Sequence, residues 1–572
     1  MKKVFTVLVA AVALPGFVSA QVGKQVEVTK AYVPSLESAA KLPVQPVMTD
    51  TVKMYPEFEY AITPLPIGME LQIRPIRPAT VTYWEFNRPR TCYLKAGAGY
   101  PLNSVVDFYA STQHPGTGYV VGYLNHQGKY ADVRNTFGQK INSIRMHNRA
   151  GVALGKYFGR RVLEGGLSYD NRLYHRYGAA RPKAPLGSGG AAPGSLVDYG
   201  DANLDLRFGD DFQNMERFNF EIAVHGGAFF DHSDVAQRAW QSRLGADARI
   251  GRAFGRHHFT LQAGYEWTDG HKTLFDYEQQ QIRAGARYGF DGDLLRFVVG
   301  ADYCHDKVLG EDCKNYVVPF ARLDFDLGNR RFMPFVEVDG AVRDNGFRSL
   351  SLLNPYVVSG SRLAKSSVDY NFRLGLGGTV WRDRFDYRVY AAFSIRDNHV
   401  YWYGIPYAAP QAGLFSGVMA PAQARQTVAS INGEAVYRPI SGLRIDLDVH
   451  GYLYNDEAVR LYDRKVKLKG GEPHFRGRAG IRYEGRKIVC GVSARAESVW
   501  RWSMPVLQQD ALLAEEFRVP FAIDLGVDFE WRISGRVSVF AEGRNLLDRR
   551  LYDYPWYPDF RVACTVGAKV VF

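Results

Sequence analysis

The sequence predicts an all-β protein: a transmembrane antiparallel β-barrel of about 22 strands, with short periplasmic turns and long extracellular loops. Three observations predict it. Segments of about ten residues alternate strictly between apolar and polar positions, with charges on the polar parity. Short links alternate with long ones between these segments. The chain closes on a segment of the same kind that ends in an aromatic residue, Phe572.

That last stretch shows the pattern most fully. Val562, Cys564, Val566, Ala568, Val570 and Phe572 are all apolar, whereas Arg561, Ala563, Thr565, Gly567, Lys569 and Val571 are mostly polar or small. A period of two puts the first set on one face of a strand and the second on the other. Phe572 is the expected terminal-strand signal of such a barrel. The same alternation starts at Thr91, where Cys92, Leu94, Ala96 and Ala98 oppose Lys95 and Gly97. It recurs in Phe218 to Val224, Ile282 to Ala286, Leu443 to Val449 and Phe521 to Trp531. A soluble sandwich also alternates, but it rarely carries charges so uniformly on its inner parity. In a membrane barrel the polar parity faces the lumen, because Arg or Lys on the lipid face at midplane costs ~2–4 kcal/mol.

The links supply the topology. Short ones fall at Phe158-Gly159-Arg160, Phe254-Gly255-Arg256, Phe290-Asp291-Gly292, Arg382-Asp383-Arg384, Glu484-Gly485-Arg486 and Ser534-Gly535-Arg536. Long ones span 127–140, 173–197, 343–365, 398–424, 455–473 and 501–519. Alternating short and long connections between Thr91 and Phe572 give an even strand count that closes antiparallel. Trp500, Trp502 and the Tyr552–Tyr557 cluster with Trp556 are expected at strand mouths, in an aromatic girdle.

Composition narrows the class. Lys and Arg number 71 against 59 Asp and Glu, a net charge of +12. The basic residues are spread along the chain among acids, without the clustered footprint of nucleic-acid binding. No apolar run beyond the N-terminus reaches the ~18 residues of a spanning helix.

Three segments follow. Residues 1–20 are expected to be a cleaved signal peptide. Lys2 and Lys3 precede an apolar core from Val4 to Leu14, and Val18-Ser19-Ala20 forms a small-residue cleavage site before Gln21. Residues 21–90 form a proline-rich periplasmic lead-in, broken by Pro34, Pro43, Pro46, Pro56, Pro64, Pro66, Pro75 and Pro78. Residues 91–572 form the outer-membrane barrel.

Five cysteines remain. Cys92, Cys490 and Cys564 fall on apolar parities and read as small lipid-facing hydrophobes. Cys304 and Cys313 bracket a short extracellular loop, where an exported protein can oxidise them, so they are the candidate loop disulfide. None of the five has metal-ligand spacing, and no cofactor is expected. The sequence has no Gly-x-Ser-x-Gly, HExxH or phosphate-cradling loop. Glu221 and His225 share the lumenal parity of one strand and are the one candidate acid–base pair, against the plainer reading of an internal charge network. His257-His258 reads as a polar periplasmic turn. No enzyme activity is expected.

The ending Gly543-Arg544-Asn545-Leu546-Leu547-Asp548, an aromatic loop and a last strand finishing in Phe572 together resemble the C-terminal barrel of TonB-dependent receptors. The stretch Tyr93 to Gly99 with Pro101, Tyr123-Leu124-Asn125-His126, and Val28 to Pro34 with Asp50-Thr51 resemble a Bacteroidota-type group of receptor-like barrels. Val26-Glu27-Val28-Thr29-Lys30 faintly resembles the short box by which such receptors engage a periplasmic energy-coupling protein, against the plainer reading of a fragment of edge strand. Receptors of this family carry a folded plug ahead of the barrel. The ~70 residues from Gln21 to Thr91 leave room for a partial plug only.

The resemblance implies transport or uptake of a solute across the outer membrane. The alternative is a plugless scaffold or assembly component of a cell-envelope complex, with an envelope protein as partner. A third reading is an outer-membrane hydrolase acting through Glu221 and His225. Outer-membrane lipid and the barrel-assembly machinery are the partners common to the first two. A lumen this wide needs filling, by the lead-in, by long loops folded inward, or by a partner.

Overall fold

The computed structural model describes residues 91–572, apart from 113–116, 182–194, 234–238, 329, 408–413, 462, 470 and 509–510. The expected signal peptide, the lead-in and the coupling box Val26, Glu27, Val28, Thr29 and Lys30 lie outside the described residues.

Twenty-two strands form one closed antiparallel sheet. They are numbered β1 (Cys92–Tyr100) to β22 (Ala563–Val571) in chain order. The seam is the pairing of these two, from Tyr93 against Val571 to Tyr100 against Cys564. Phe572 extends it by one residue, donating its N–H to the Cys92 carbonyl (3.0 Å) and accepting from the Cys92 N–H (2.8 Å). The closed ladder gives every strand a partner on both sides, as a lipid solvent requires.

Side-chain parity agrees with the period-2 reading. Leu167, Leu204, Ile222, Leu244, Leu261, Val492 and Val566 stand outward and exposed, making an apolar belt. The intervening residues line the lumen and carry the charges. Among the described residues no helix is long and apolar enough to cross a membrane; the chain crosses with strands.

The two rims differ as the links require. At the short-turn rim, Gly159 and Gly255 take φ of +63° and +60°. Each is the first residue of a two-residue turn, at Gly159-Arg160 and Gly255-Arg256. Only glycine enters that left-handed region freely, so these hairpins stay tight. The aromatic girdle lies here too. Phe254 meets Phe259, Phe259 meets Tyr288, and Tyr288 meets Phe297, with ring centroids 6.3, 5.1 and 5.8 Å apart.

The opposite rim departs from expectation in three places. The stretch 398–424 is mostly strand: β15 (Phe385–Pro406) and β16 (Phe415–Tyr437) pair far beyond their neighbours, from His399 opposite Ala424 to Gly404 opposite Met419. A register shift between Arg396 and His399 interrupts the alternation, and that hid the strand extension in the sequence. The stretch 501–519 is itself a hairpin, Trp500–Gln508 paired with Ala511–Val519. Trp500, Trp502, Trp556 and Tyr557 are not in the lipid girdle: they are 8, 7, 5 and 1% exposed and pack against one another's loops.

The pairing expected of Cys304 and Cys313 is not made; both are free thiols. Cys304 faces Tyr316 in the ladder, while Cys313 sits at the hairpin tip just before Lys314, which pairs with Asp306. Three strand positions, about 10 Å, separate the two, beyond the reach of a disulfide. Cys304 is buried on the lumenal parity and Cys313 is exposed.

Candidate functional site

The lumenal wall is built from charges that answer one another across strands. Lys95 reaches Glu542 at 3.0 Å. Glu337 gathers Arg388 at 3.0 Å, Arg373 at 3.5 Å and Arg322 at 3.9 Å. Lys569 bonds Glu530. All of these groups except Arg322 keep 14–39% of their side-chain surface open, so they stay partly hydrated and each pair contributes modestly. Their joint effect is a wetted interior with little net local charge.

Within that wall the candidate acid–base pair separates. Glu221 accepts from Arg207 at 2.6 Å, and the same guanidinium holds Glu164 at 3.0 Å. His225 lies 3.5 Å from Asp247 instead. Four strand positions put Glu221 and His225 about 13 Å apart, too far for one to orient the other. His257 and His258 also diverge: His257 Nδ1 lies 2.8 Å from the Tyr288 hydroxyl in the girdle, and His258 lies 3.7 Å from Asp291. Among the described residues no group of His, Cys, Asp and Glu could hold a metal ion.

The organised feature is at the long-loop rim. Loops from opposite walls fold toward one another and share a buried aromatic core of Tyr177, Tyr356, Phe415, Trp500, Trp502, Trp556, Tyr557 and Phe560. Tyr356 stacks on Tyr557 with centroids 3.5 Å apart, Tyr177 meets Tyr557 edge-on at 5.1 Å, and Phe415 stacks on Trp556 at 4.3 Å. Among the described residues the buried Trp502 indole N–H has no hydrogen-bond partner, whereas two of the phenols around this core are satisfied locally. The Tyr557 hydroxyl donates to the Gly417 carbonyl at 2.6 Å, and the Tyr407 hydroxyl to the Ala180 carbonyl at 3.1 Å. Burial pushes the Tyr177, Tyr356 and Tyr557 phenols up from their ordinary value, so they stay neutral donors. Tertiary contact holds this core, since no local repeat specifies it. The result is a cap.

One loop does most to tie the cap to the wall. After β13 (Met333–Arg343), a helix at Phe347–Leu353 packs Phe347 against Phe229 of the facing wall, centroids 5.3 Å apart. Arg348 then forks onto Asp201, at 2.9 and 2.7 Å. Beyond the helix, Val357 and Met419 form a parallel bridge. The loop thereby links three separate parts of the barrel.

Beneath the cap is a cavity of about 930 Å³. Trp402, Trp500, Trp502 and Tyr554 supply aromatic surface, and Lys95, Arg476, Arg495 and Arg544 supply positive charge. Its roof is pinned by Asp559, which accepts from Lys129 at 2.6 Å and from Arg145 at 3.3 Å, while Arg145 also reaches Asp553 at 2.8 Å. Burial pushes the Asp559 carboxyl up, but Lys129 and Arg145 outweigh it and hold the carboxyl below the usual range. A space with aromatic platforms and fixed charges suits recognition of a polar solute.

No family model matches the sequence, and no curated protein matches it. Solved structures do. The chain is similar to Pseudomonas aeruginosa FpvA bound to heterologous pyoverdines, at 12% identity over 84% of this chain and 72% of that one, with a TM-score of 0.61. It is similar to the copper transporter OprC, at 12% identity over 85% and 81%, TM-score 0.60. It is also similar to the FrpB iron transporter of Neisseria meningitidis, F3-3 variant, at 12% identity over 85% and 82%, TM-score 0.62. At this identity the likeness is one of fold. What it defines is the fold: a large closed antiparallel β-barrel like those of the proteins so named.

Proposed function

We propose that this chain is an outer-membrane uptake protein, resembling TonB-dependent receptors, whose solute meets the cap from outside and is held in the cavity beneath it. The observation that carries this reading is the joining of an interlocked loop cap to a charged, aromatic-lined cavity inside the barrel. The similar structures include proteins named as iron and copper transporters, which supports uptake without naming a solute for this chain. In this reading residues 1–20 direct export and are removed. Residues 21–90 lie in the periplasm, and Val26 to Lys30 contact an energy-coupling protein. Phe572 marks the closing strand for the assembly machinery.

A second reading is favoured by the burial of the cap's aromatic core: a scaffold whose lumen stays closed and whose loops hold an envelope partner. Conductance of the full chain in a planar bilayer separates the two. Uptake expects channel events that increase when the cap is loosened. The scaffold expects none in either form, together with a stable co-purifying partner.

A further inference from the structure

The outer wall of the barrel carries a second polar constellation, unrelated to the cap. On β2 (Asn103–Ser111), β3 (Gly118–Lys129) and β4 (Arg145–Phe158), the lipid-facing parity includes Phe108, Leu124, Val152 and Leu154, all exposed. Ser104, His126 and Asn148 stand on that same parity, toward the long-loop end of their strands. Three polar residues there conflict with the pattern that built the rest of the wall.

Their geometry explains the conflict. Ser104 Oγ lies 2.8 Å from His126 Nε2, and His126 Nδ1 lies 2.6 Å from Asn148 Oδ1. An amide oxygen only accepts, so the proton of the ring sits on Nδ1 and Nε2 is left to accept from Ser104. The orientation of the amide is itself fixed. Asn148 Nδ2 donates to Asn171 Oδ1 at 3.2 Å, and Asn171 Nδ2 donates to Asp198 Oδ1 at 2.8 Å. This is a nucleophile, a base and an orienting group in series, the logic of a serine-hydrolase relay.

A fourth group completes it. The Tyr130 hydroxyl is 3.1 Å from Ser104 Oγ and 2.9 Å from His126 Nε2. Its ring lies over Gly128, where a Cβ would meet the Tyr130 hydroxyl at 2.2 Å. Glycine at that position makes room for the phenol beside the nucleophile, as a donor to charge developing there.

We propose that Ser104, His126 and Asn148, with Tyr130, form an ester-hydrolysing site on the lipid-facing wall, acting on the acyl esters of membrane glycerophospholipids. The position selects the substrate. The row lies one to three strand positions, about 3–10 Å, inside the strand ends, with the apolar belt directly below it, at the boundary of headgroups and acyl chains. Glycerol esters lie at that level, and water reaches it.

The chemistry closes on these atoms. Ser104 Oγ attacks the ester carbonyl as its proton passes to His126 Nε2, and Tyr130 donates to the resulting oxyanion. The carbon–oxygen bond to the glycerol breaks, and His126 returns the proton to the departing oxygen. Water, deprotonated by His126, then splits the acyl-serine, releasing a fatty acid and restoring Ser104. Asn148 is a positioning residue: among the reacting groups its only hydrogen-bond partner is His126.

The test uses the full chain folded in detergent micelles, with phosphatidylethanolamine mixed into the micelles. A fluorophosphonate probe is expected to label Ser104, identified by peptide mapping, and fatty acid is expected to be released. S104A removes both signals. Y130F lowers kcat by ~10²-fold with KM unchanged, the effect of losing one oxyanion donor. N148A loses most turnover while N148D, which also accepts from Nδ1, restores it. E221Q, in the lumenal wall, leaves it unchanged. Heat-modifiable migration on gels shows that each variant is folded. A folded wild-type barrel with no labelling or release above S104A overturns the proposal. Equal loss in E221Q and S104A overturns it too, by moving the chemistry elsewhere.

Discussion

Tyr356 stacks on Tyr557 at 3.5 Å with the ring planes 8° apart. The two residues are 201 positions apart in sequence, and both are about 1% exposed. This contact joins the loop after β13 to the loop before β22, across the mouth of the barrel. It closes a path that the strands leave wide. Replacing Tyr557 with Ala removes the stack, the edge contact to Tyr177 and the hydrogen bond to Gly417. Burial loss at such a site costs ~3–5 kcal/mol. The expected outcome is faster proteolysis within 344–366 and larger bilayer conductance, with the barrel still heat-modifiable. An unchanged conductance together with faster proteolysis would mean the lumen is sealed below the cap.

The loop's other anchor is Arg348 on Asp201. The guanidinium fork is bidentate and its partner is 8% exposed at the side chain. Arg348→Lys keeps the charge but loses the two-pronged geometry. Arg348→Ala leaves Asp201 facing Arg243 and Arg172 across the lumenal wall, with its bidentate partner gone. Hydrogen exchange at Phe347–Leu353 is expected to speed up ~10-fold or more for the Ala variant and less for Lys. Equal exchange in all three proteins would assign the helix's anchorage to Phe347 and its aromatic partners.

Acid is expected to loosen the roof of the cavity through Asp559. Its carboxyl is held below the ordinary carboxylate value in the folded protein. The stability it contributes is present above the unfolded value of about 3.9 and is lost as pH falls through the lower, folded value. Tryptophan fluorescence from Trp500, Trp502 and Trp556, followed from pH 6 downward, should show a transition below about pH 4. Asp559→Asn should remove that transition and weaken the cap at neutral pH, because Lys129 and Arg145 then lose a shared partner. Persistence of the transition in the variant would place its origin in another carboxylate.

The strand ladder was legible because its information is local: parity along one segment states which side meets lipid, and a turn states where the next strand begins. The cap was not. Trp500, Trp502 and Tyr552 to Tyr557 have the composition of an interfacial girdle, and nothing within their loops distinguishes a ring lying at the bilayer surface from one folded inward. The partner that decides it, such as Tyr356 for Tyr557, is two hundred residues away. The outer-wall relay was hidden for a related reason. Ser104, His126 and Asn148 sit on three strands, and only the register brings them together. A signal was nevertheless present, since each breaks the apolar parity of its own strand.

Parity itself makes the final prediction, through two adjacent residues at the middle of β5 (Arg161–His175). Leu167 is 63% exposed on the outer belt, and Ser168 points the other way into the lumen. The same substitution at these neighbours should therefore have opposite consequences. Leu167→Arg places a charge on the lipid face and is expected to cost ~2–4 kcal/mol in unfolding from vesicles. Ser168→Arg meets water and the carboxylates of the wall, and is expected to cost well under ~1 kcal/mol. Equal penalties would mean that the outer face does not lie against lipid at this level. A large penalty for Leu167→Arg alone fixes the depth of β5 in the membrane, and through the ladder the depth of Asn148 and Asn171, which pair with each other four positions nearer the long-loop rim.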